Sequence, residues 1–184
     1  MLLFEFHGTE QSVAEQASRF GEIVFVAGGM GARPTMDGLS CVTFPANVAA
    51  SPVEVLENTL PILYEEKEFI PDSGGIGEHR GGLGCRHRFR ITSSKPVWMS
   101  PLVDRTKFAA QGLMGGRPGS LTKLSVDPPK ALPPKDFTLL QPGDAVTVDL
   151  PGGGGYGKPE QRKRELIEKD LRAGRVTKTG AGMG

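Results

Sequence analysis

Between Cys85 and Ile91 apolar and charged residues alternate, with Cys85, His87, Phe89 and Ile91 interleaved by Arg86, Arg88 and Arg90. A period of two sends one set to a buried face and the arginines to the other, the pattern of a half-buried strand. Residues 22–27 (EIVFVA) form a short apolar run bounded by Gly21 and Gly28, which predicts a buried strand. A further strand is expected over 60–70, ending at Pro71, and shorter ones over 96–99, 121–126 and 145–150. Ser51-Pro52-Val53-Glu54 has the spacing of a capping box with proline at the first helical position, so a short helix is predicted to run to about Asn58. An amphipathic helix is predicted over 160–172, with Leu166, Ile167 and Leu171 on one side and Gly174 as its stop. The closing KTGAGMG carries no structure signal and is expected to fray.

The chain holds 26 glycines and 15 prolines among 184 residues, yet 38% of it is hydrophobic. Low-complexity disorder lacks that apolar share, so the composition predicts many short strands joined by Gly/Pro turns. The fold class expected is therefore α+β and β-rich, with one short internal helix and a C-terminal amphipathic helix. Residues 1–184 are read as a single domain, of which about 159–184 form a helical tail. Twenty-two Lys+Arg against 21 Asp+Glu leave a formal charge of +1, which gives no electrostatic case for a nucleic-acid or anionic-membrane partner. No apolar run approaches the roughly 18 residues a membrane helix needs. The opening MLLFEFHGTE lacks a basic start followed by a long apolar stretch, and a cytoplasmic protein is expected. Cys41 and Cys85 are expected to be buried thiols.

Candidate chemistry concentrates in the glycine-rich segments. Successive backbone N–H groups without side chains can cradle an anion, and Gly152-x-Gly154-x-x-Gly157 follows a predicted strand and precedes a predicted helix. Pro159 delays that helix and no second strand completes a βαβ unit, so Gly152, Gly153, Gly154 and Gly155 are read as a structural turn packing the last helix onto the sheet. Gly74, Gly75, Gly81, Gly82 and Gly84 of DSGGIGEHRGGLG are read as structural in the same way; no P-loop Lys and Ser/Thr accompany them. Asp72 and Ser73 head a turn, where such side chains usually bond the local backbone. His7, His79 and His87 show no metal-ligand spacing, and no metal site is expected from this chain. Cys85 and His87 share a strand face at a spacing too wide for a good hydrogen bond, and both are expected to be half-buried sheet residues.

The ordered set GGMGARPTMDG, SPVEVLE, PDSGGIGEHRGGLG and LQPGDAVTVDLPGGGGYGKP resembles the C-terminal region of the hydantoinase B/oxoprolinase family, over about residues 21–176. The family includes N-methylhydantoinase B subunits, the second half of 5-oxoprolinase and the alpha subunit of acetone carboxylase. The resemblance implies a part of an ATP-dependent cyclic-amide hydrolase acting with an ATP-binding A-type subunit. The A-type component phosphorylates the substrate oxygen and the B-type component completes hydrolysis or carboxylation. It also implies that ATP and a divalent metal are bound elsewhere in the complex, the metal by the N-terminal part of the B subunit, which would be a further partner of this chain. No catalytic residue transfers onto the sequence. Arg33, Asp37, Asp72, Ser73 and Arg80 are the polar candidates for a substrate or interface edge. A noncatalytic partner-binding or accessory module of a related ATP-dependent carboxylase is the alternative, and a self-sufficient small enzyme using Asp72, Ser73 and His79 is a third reading.

Overall fold

A computed structural model describes residues 2–11, 17–43 and 49–180. Strands β1 (Leu2–Gln11) and β2 (Ala17–Val26) are followed by helix α1 (Val53–Thr59), then β3 (Ile62–Phe69), β4 (Cys85–Ile91), β5 (Val97–Leu102), β6 (Lys123–Asp127), β7 (Thr138–Leu140) and β8 (Ala145–Asp149). A 3-10 turn at Pro159–Gln161 leads into helix α2 (Arg164–Arg172). The strands form two antiparallel four-stranded sheets, ordered β2-β1-β5-β7 and β3-β4-β8-β6. This is the expected α+β, β-rich class.

The alternation in β4 does what its period dictates. Cys85, His87, Phe89 and Ile91 are buried, while the three arginines are half-buried on the opposite face. One core receives side chains from both sheets: Phe6, Val24, Val97, Met99 and Leu140 from the first, and Ile62, Phe89, Val126, Val146 and Val148 from the second. Phe6 and Phe89 meet edge to face across it, ring centroids 5.7 Å apart. On the outer face the arginines pair with carboxylates of neighbouring strands. Arg86 Nε and Nη2 donate to Asp149 at 2.7 and 2.9 Å, and Arg88 and Arg90 each donate to Glu65 at 2.7 Å. Glu65 stands at a β-bulge, where the register jumps from Tyr64 to Glu66, and so reaches two arginines at once.

Several expectations are corrected. The capping box does not form: Pro52 occupies the cap position and no side chain bonds the helix start. Strand β1 lies where no strand was expected, and β7 joins the first sheet through Leu139 opposite Trp98. Helix α2 starts at Arg164, four residues later than expected, after a 3-10 turn that opens with Pro159. Gly174 does end it, at φ 63°. Residues 178–180 form a turn rather than fraying, with the Gly180 N–H donating to Thr177 Oγ1 at 3.0 Å. The end of the closing segment, 181–184, lies outside the described residues.

The largest departure concerns the glycines. β3 ends and β4 begins at one end of the second sheet, β8 ends there too, and glycine-rich segments run onward from these ends. They are not turns. Pro151–Gly155 is a buried, extended segment surrounded by four others, at 28–32, 73–77, 80–84 and 110–119. Main chain bonds main chain between them: Gly153 N–H to Gly82 O, Gly82 N–H to Met30 O, Gly75 N–H to Gly153 O and Gly155 N–H to Arg117 O, all within 2.8–2.9 Å. A Cβ on Gly152 would sit 1.8 Å from Ser73 O, and one on Gly153 would sit 1.9 Å from Met30 O. Only glycine fits so close an approach of backbones, as at the axis of a collagen triple helix.

Candidate functional site

Charged side chains converge where α2 meets this glycine core. Arg80 leaves the segment 80–84, Asp37 sits in the loop after 28–32, Arg162 follows the 3-10 turn, and Asp170 projects from the last turn of α2. Arg162 is bidentate to Asp37, with Nη1 and Nη2 donating at 2.8 Å each, and Nη2 also donates to Asp170 at 2.6 Å. Arg80 Nε donates to the same Asp170 oxygen at 3.1 Å, and Arg175 reaches the other at 3.3 Å. The Arg80 backbone N–H donates to Asp37 Oδ1 at 2.7 Å. Arg80 and Asp170 are almost wholly buried, at 4% and 3% exposure. Charges so placed require this reciprocal pairing. Burial pushes the Asp37 carboxyl up, but the Arg162 guanidinium and then the Arg80 N–H outweigh it and hold the group below the usual carboxylate range.

Beside this network lies a pocket of about 120 Å³ with Ile76, Pro159, Ile167 and Val176 in its wall and Arg80, Arg162 and Asp170 at its polar side. His79 stands nearby, its Nδ1 3.8 Å from Asp37 Oδ1, too long for a hydrogen bond. The arginines are already engaged by carboxylates, so the cluster's evident action is to pin α2 and the segment after it to the glycine core.

Of the candidates from the sequence, Asp37 and Arg80 are brought together here. Asp72 is not: at φ 59° it accepts from the Thr177 N–H at 2.9 Å and the Thr177 hydroxyl at 2.7 Å, clamping the C-terminal segment. Ser73 is buried; its hydroxyl donates to Ile70 O at 2.5 Å and accepts from the Gly84 N–H at 2.8 Å. Arg33 closes a tight loop with Met36 through paired backbone bonds of 3.0 and 3.3 Å, and its side chain is exposed. Asp72, Ser73 and His79 therefore do not form one constellation. Gly74, Gly81 and Gly84 pack onto the backbones of Gly81, Gly153 and Leu150 respectively. Arg162 and Asp170 were missed by sequence reasoning. Asp170 falls three residues after Ile167, within the apolar stripe of α2, and a charge in such a stripe is the signal that points to a buried partner.

Five of the six backbone N–H groups over 152–157 are already engaged. The Gly153, Gly155, Tyr156 and Gly157 N–H groups all donate to backbone carbonyls, and the Gly152 N–H donates to Ser120 Oγ at 3.0 Å. Among the described residues no three His, Cys, Asp or Glu side chains are grouped to hold a metal ion, so the residues present do not fit one. No helix among them is long and apolar enough to cross a membrane.

Comparison with known proteins places this architecture. The profile of the hydantoinase B/oxoprolinase family matches residues 1–159, starting earlier and ending earlier than the span of 21–176 read from the motifs. An uncharacterized protein of Methanocaldococcus jannaschii is 36% identical over 130 residues, which are 69% of this chain and 23% of that protein. Caprolactamase subunit beta of Pseudomonas jessenii is 32% identical over 170 residues, 85% of this chain and 29% of that subunit. The crystal structure of the ATP-dependent caprolactamase from the same organism superposes with a TM-score of 0.74 at 25% identity, covering 97% of this chain and 32% of the other. Nucleotide-free acetone carboxylase shares the fold, with a TM-score of 0.78 at 20% identity, covering 99% of this chain and 29% of the other. The chain thus spans under a third of the length of these relatives. By profile, sequence and fold together, it belongs to the hydantoinase B/oxoprolinase family.

Proposed function

We propose that this chain supplies the glycine-packed portion of a B-type subunit in a cytoplasmic, ATP-dependent cyclic-amide hydrolase. It works with an ATP-binding A-type subunit and with the preceding part of the B-type subunit. The observation that carries this reading is the 32% identity to caprolactamase subunit beta across 85% of the chain. The chemistry explains the division of labour. An unstrained amide is a poor electrophile, and phosphorylating its oxygen makes that oxygen a good leaving group before water attacks. ATP and a divalent metal are then assigned to the rest of the complex. Asp37 and Arg80 contribute by fixing the loop at 28–38 to the C-terminal helix, and exposed Arg33 at the tip of that loop is the polar group placed to meet a partner or substrate.

The test is reconstitution. The chain, the remainder of a B-type subunit and an A-type subunit are combined, and phosphate release is followed with lactam and ATP. Turnover that needs all components and lactam supports the reading. Lactam hydrolysis by the chain alone without ATP would establish a self-sufficient enzyme instead. Turnover dependent on a ketone and hydrogencarbonate would favour the carboxylase reading, for which the acetone carboxylase fold is the motivating observation.

A further inference from the structure

A second pocket, of about 70 Å³, opens between the two sheets and the loop after β2, away from the charge network. Cys41, Cys85, His87, Tyr64 and Lys67 stand in its wall beside Val24, Val26 and Leu56. Two features of this group have no structural explanation so far. His87 is 5% exposed, and its Nδ1 is buried with no hydrogen-bond partner among the described residues. An orphaned polar atom of this kind is rare in a folded protein and marks a place where something polar binds or reacts. Cys41 is held at φ 51°, a left-handed conformation that glycine or asparagine adopts with less strain.

The loop carrying Cys41 is strapped to the chain entering β4. The Leu83 N–H donates to Ser40 Oγ at 3.0 Å, and the Cys41 thiol lies 3.8 Å from Leu83 O; Cys41 and Cys85 both stand in the pocket wall. The two thiols are shifted in opposite directions. Cys41 first, then His87 and Lys67, push the Cys85 thiol below the ordinary range against the effect of its burial, while the neighbouring Cys85 and burial push Cys41 up.

We propose that Cys85 is a peroxide-reactive thiol and Cys41 its resolving partner, in a pocket where His87 positions the hydroperoxide. The Cys85 thiolate attacks one oxygen of the hydroperoxide; an S–O bond forms, the O–O bond breaks, and the departing oxygen leaves as an alcohol or water after taking a proton. Cys85 becomes a sulfenic acid. Cys41 sulfur then attacks Cys85 sulfur, the S–S bond forms, the S–O bond breaks and water leaves. The two thiols are oxidised by two electrons and the hydroperoxide is reduced. An oxygen of the hydroperoxide gives His87 Nδ1 the partner it lacks among the described residues.

The reduced chain is treated with stoichiometric hydrogen peroxide and read by intact mass and by peptide mapping. The expected product is two hydrogens lighter and contains a peptide linking Cys41 to Cys85. Cys41→Ser is expected to stop at a dimedone-trapped sulfenic acid on Cys85, and His87→Gln to slow its formation about tenfold or more. A measurement on the unaltered chain guards against misfolded variants. Alkylation of Cys85 by iodoacetamide should change less than about twofold between pH 8.5 and 6.5, where an ordinary thiol slows about fifty-fold. Thiols left intact by the peroxide, a sulfenic acid on Cys41 in place of Cys85, or an ordinary pH profile would each overturn the proposal.

Discussion

Asp170 accepts from three arginines, Arg80, Arg162 and Arg175, while itself 3% exposed. Removing its charge takes the carboxylate from buried Arg80 and one of two from Arg162, so Asp170→Asn is expected to destabilise the chain by about 3–5 kcal/mol in urea unfolding. Asp72 clamps the same C-terminal segment from an exposed position, and Asp72→Asn should cost only about 1 kcal/mol. Equal costs for the two would show that the buried network does not hold α2. Asp37 supplies a pH dependence. Its folded carboxyl is depressed, so its contribution is complete above the ordinary carboxylate value of about 3.9 and is lost as pH falls through the folded value. The stability gap between wild type and Asp37→Asn, about 2 kcal/mol at pH 7, should therefore hold down to about pH 5 and shrink below about pH 4. These residues show what a single sequence conceals. Asp37 and Arg80 stand out because polar residues in glycine loops invite attention, whereas Arg162 lies 125 positions from Asp37 and reads as ordinary helix-flanking charge.

At the scale of elements, strands with one buried face were legible and strands with neither face patterned were not. β4 announces itself because arginine and apolar residues alternate, and β8 because Ala145, Val146 and Val148 are buried within a five-residue strand bounded by turn residues. β7 has only three residues, too few to show a period, and depends on its pairing with β5. The extended glycine segments are harder still, since their order comes from backbone contacts between distant segments and not from any local propensity. Two substitutions separate close approach from local conformation. Gly153→Ala places a methyl group against Met30 O and is expected to cost about 3 kcal/mol or more. Gly143→Ala meets nothing within 4 Å but sits at φ 86°, so strain alone should cost about 1 kcal/mol. Thermal unfolding of the pair checks this, and a mild Gly153→Ala would mean that the five segments can part without loss.

For the whole molecule, the outer face of the β2-β1-β5-β7 sheet is unlike that of its partner. Where the second sheet shows matched arginines and carboxylates, the first exposes Ile23, Phe25, Trp98, Leu102 and Leu139. Exposed apolar side chains grouped on one sheet face are common at interaction sites, and under the proposed function the preceding part of a B-type subunit would cover them. Trp98 is the only tryptophan and is 47% exposed. Acrylamide should quench it readily in the isolated chain and poorly once the preceding part of a B-type subunit is bound; undiminished quenching in the complex would place the contact elsewhere. The glycine core has a different consequence, for how the protein looks to a spectroscopist. The amides of 73–75, 80–84 and 151–155 are buried and mostly bonded, yet they belong to no helix and no named strand of either sheet. Circular dichroism would count these segments as unordered chain, and amide hydrogen exchange would count them among the slowest in the molecule. A region that seems unstructured by its optical signature would thus be the part of the backbone water reaches least.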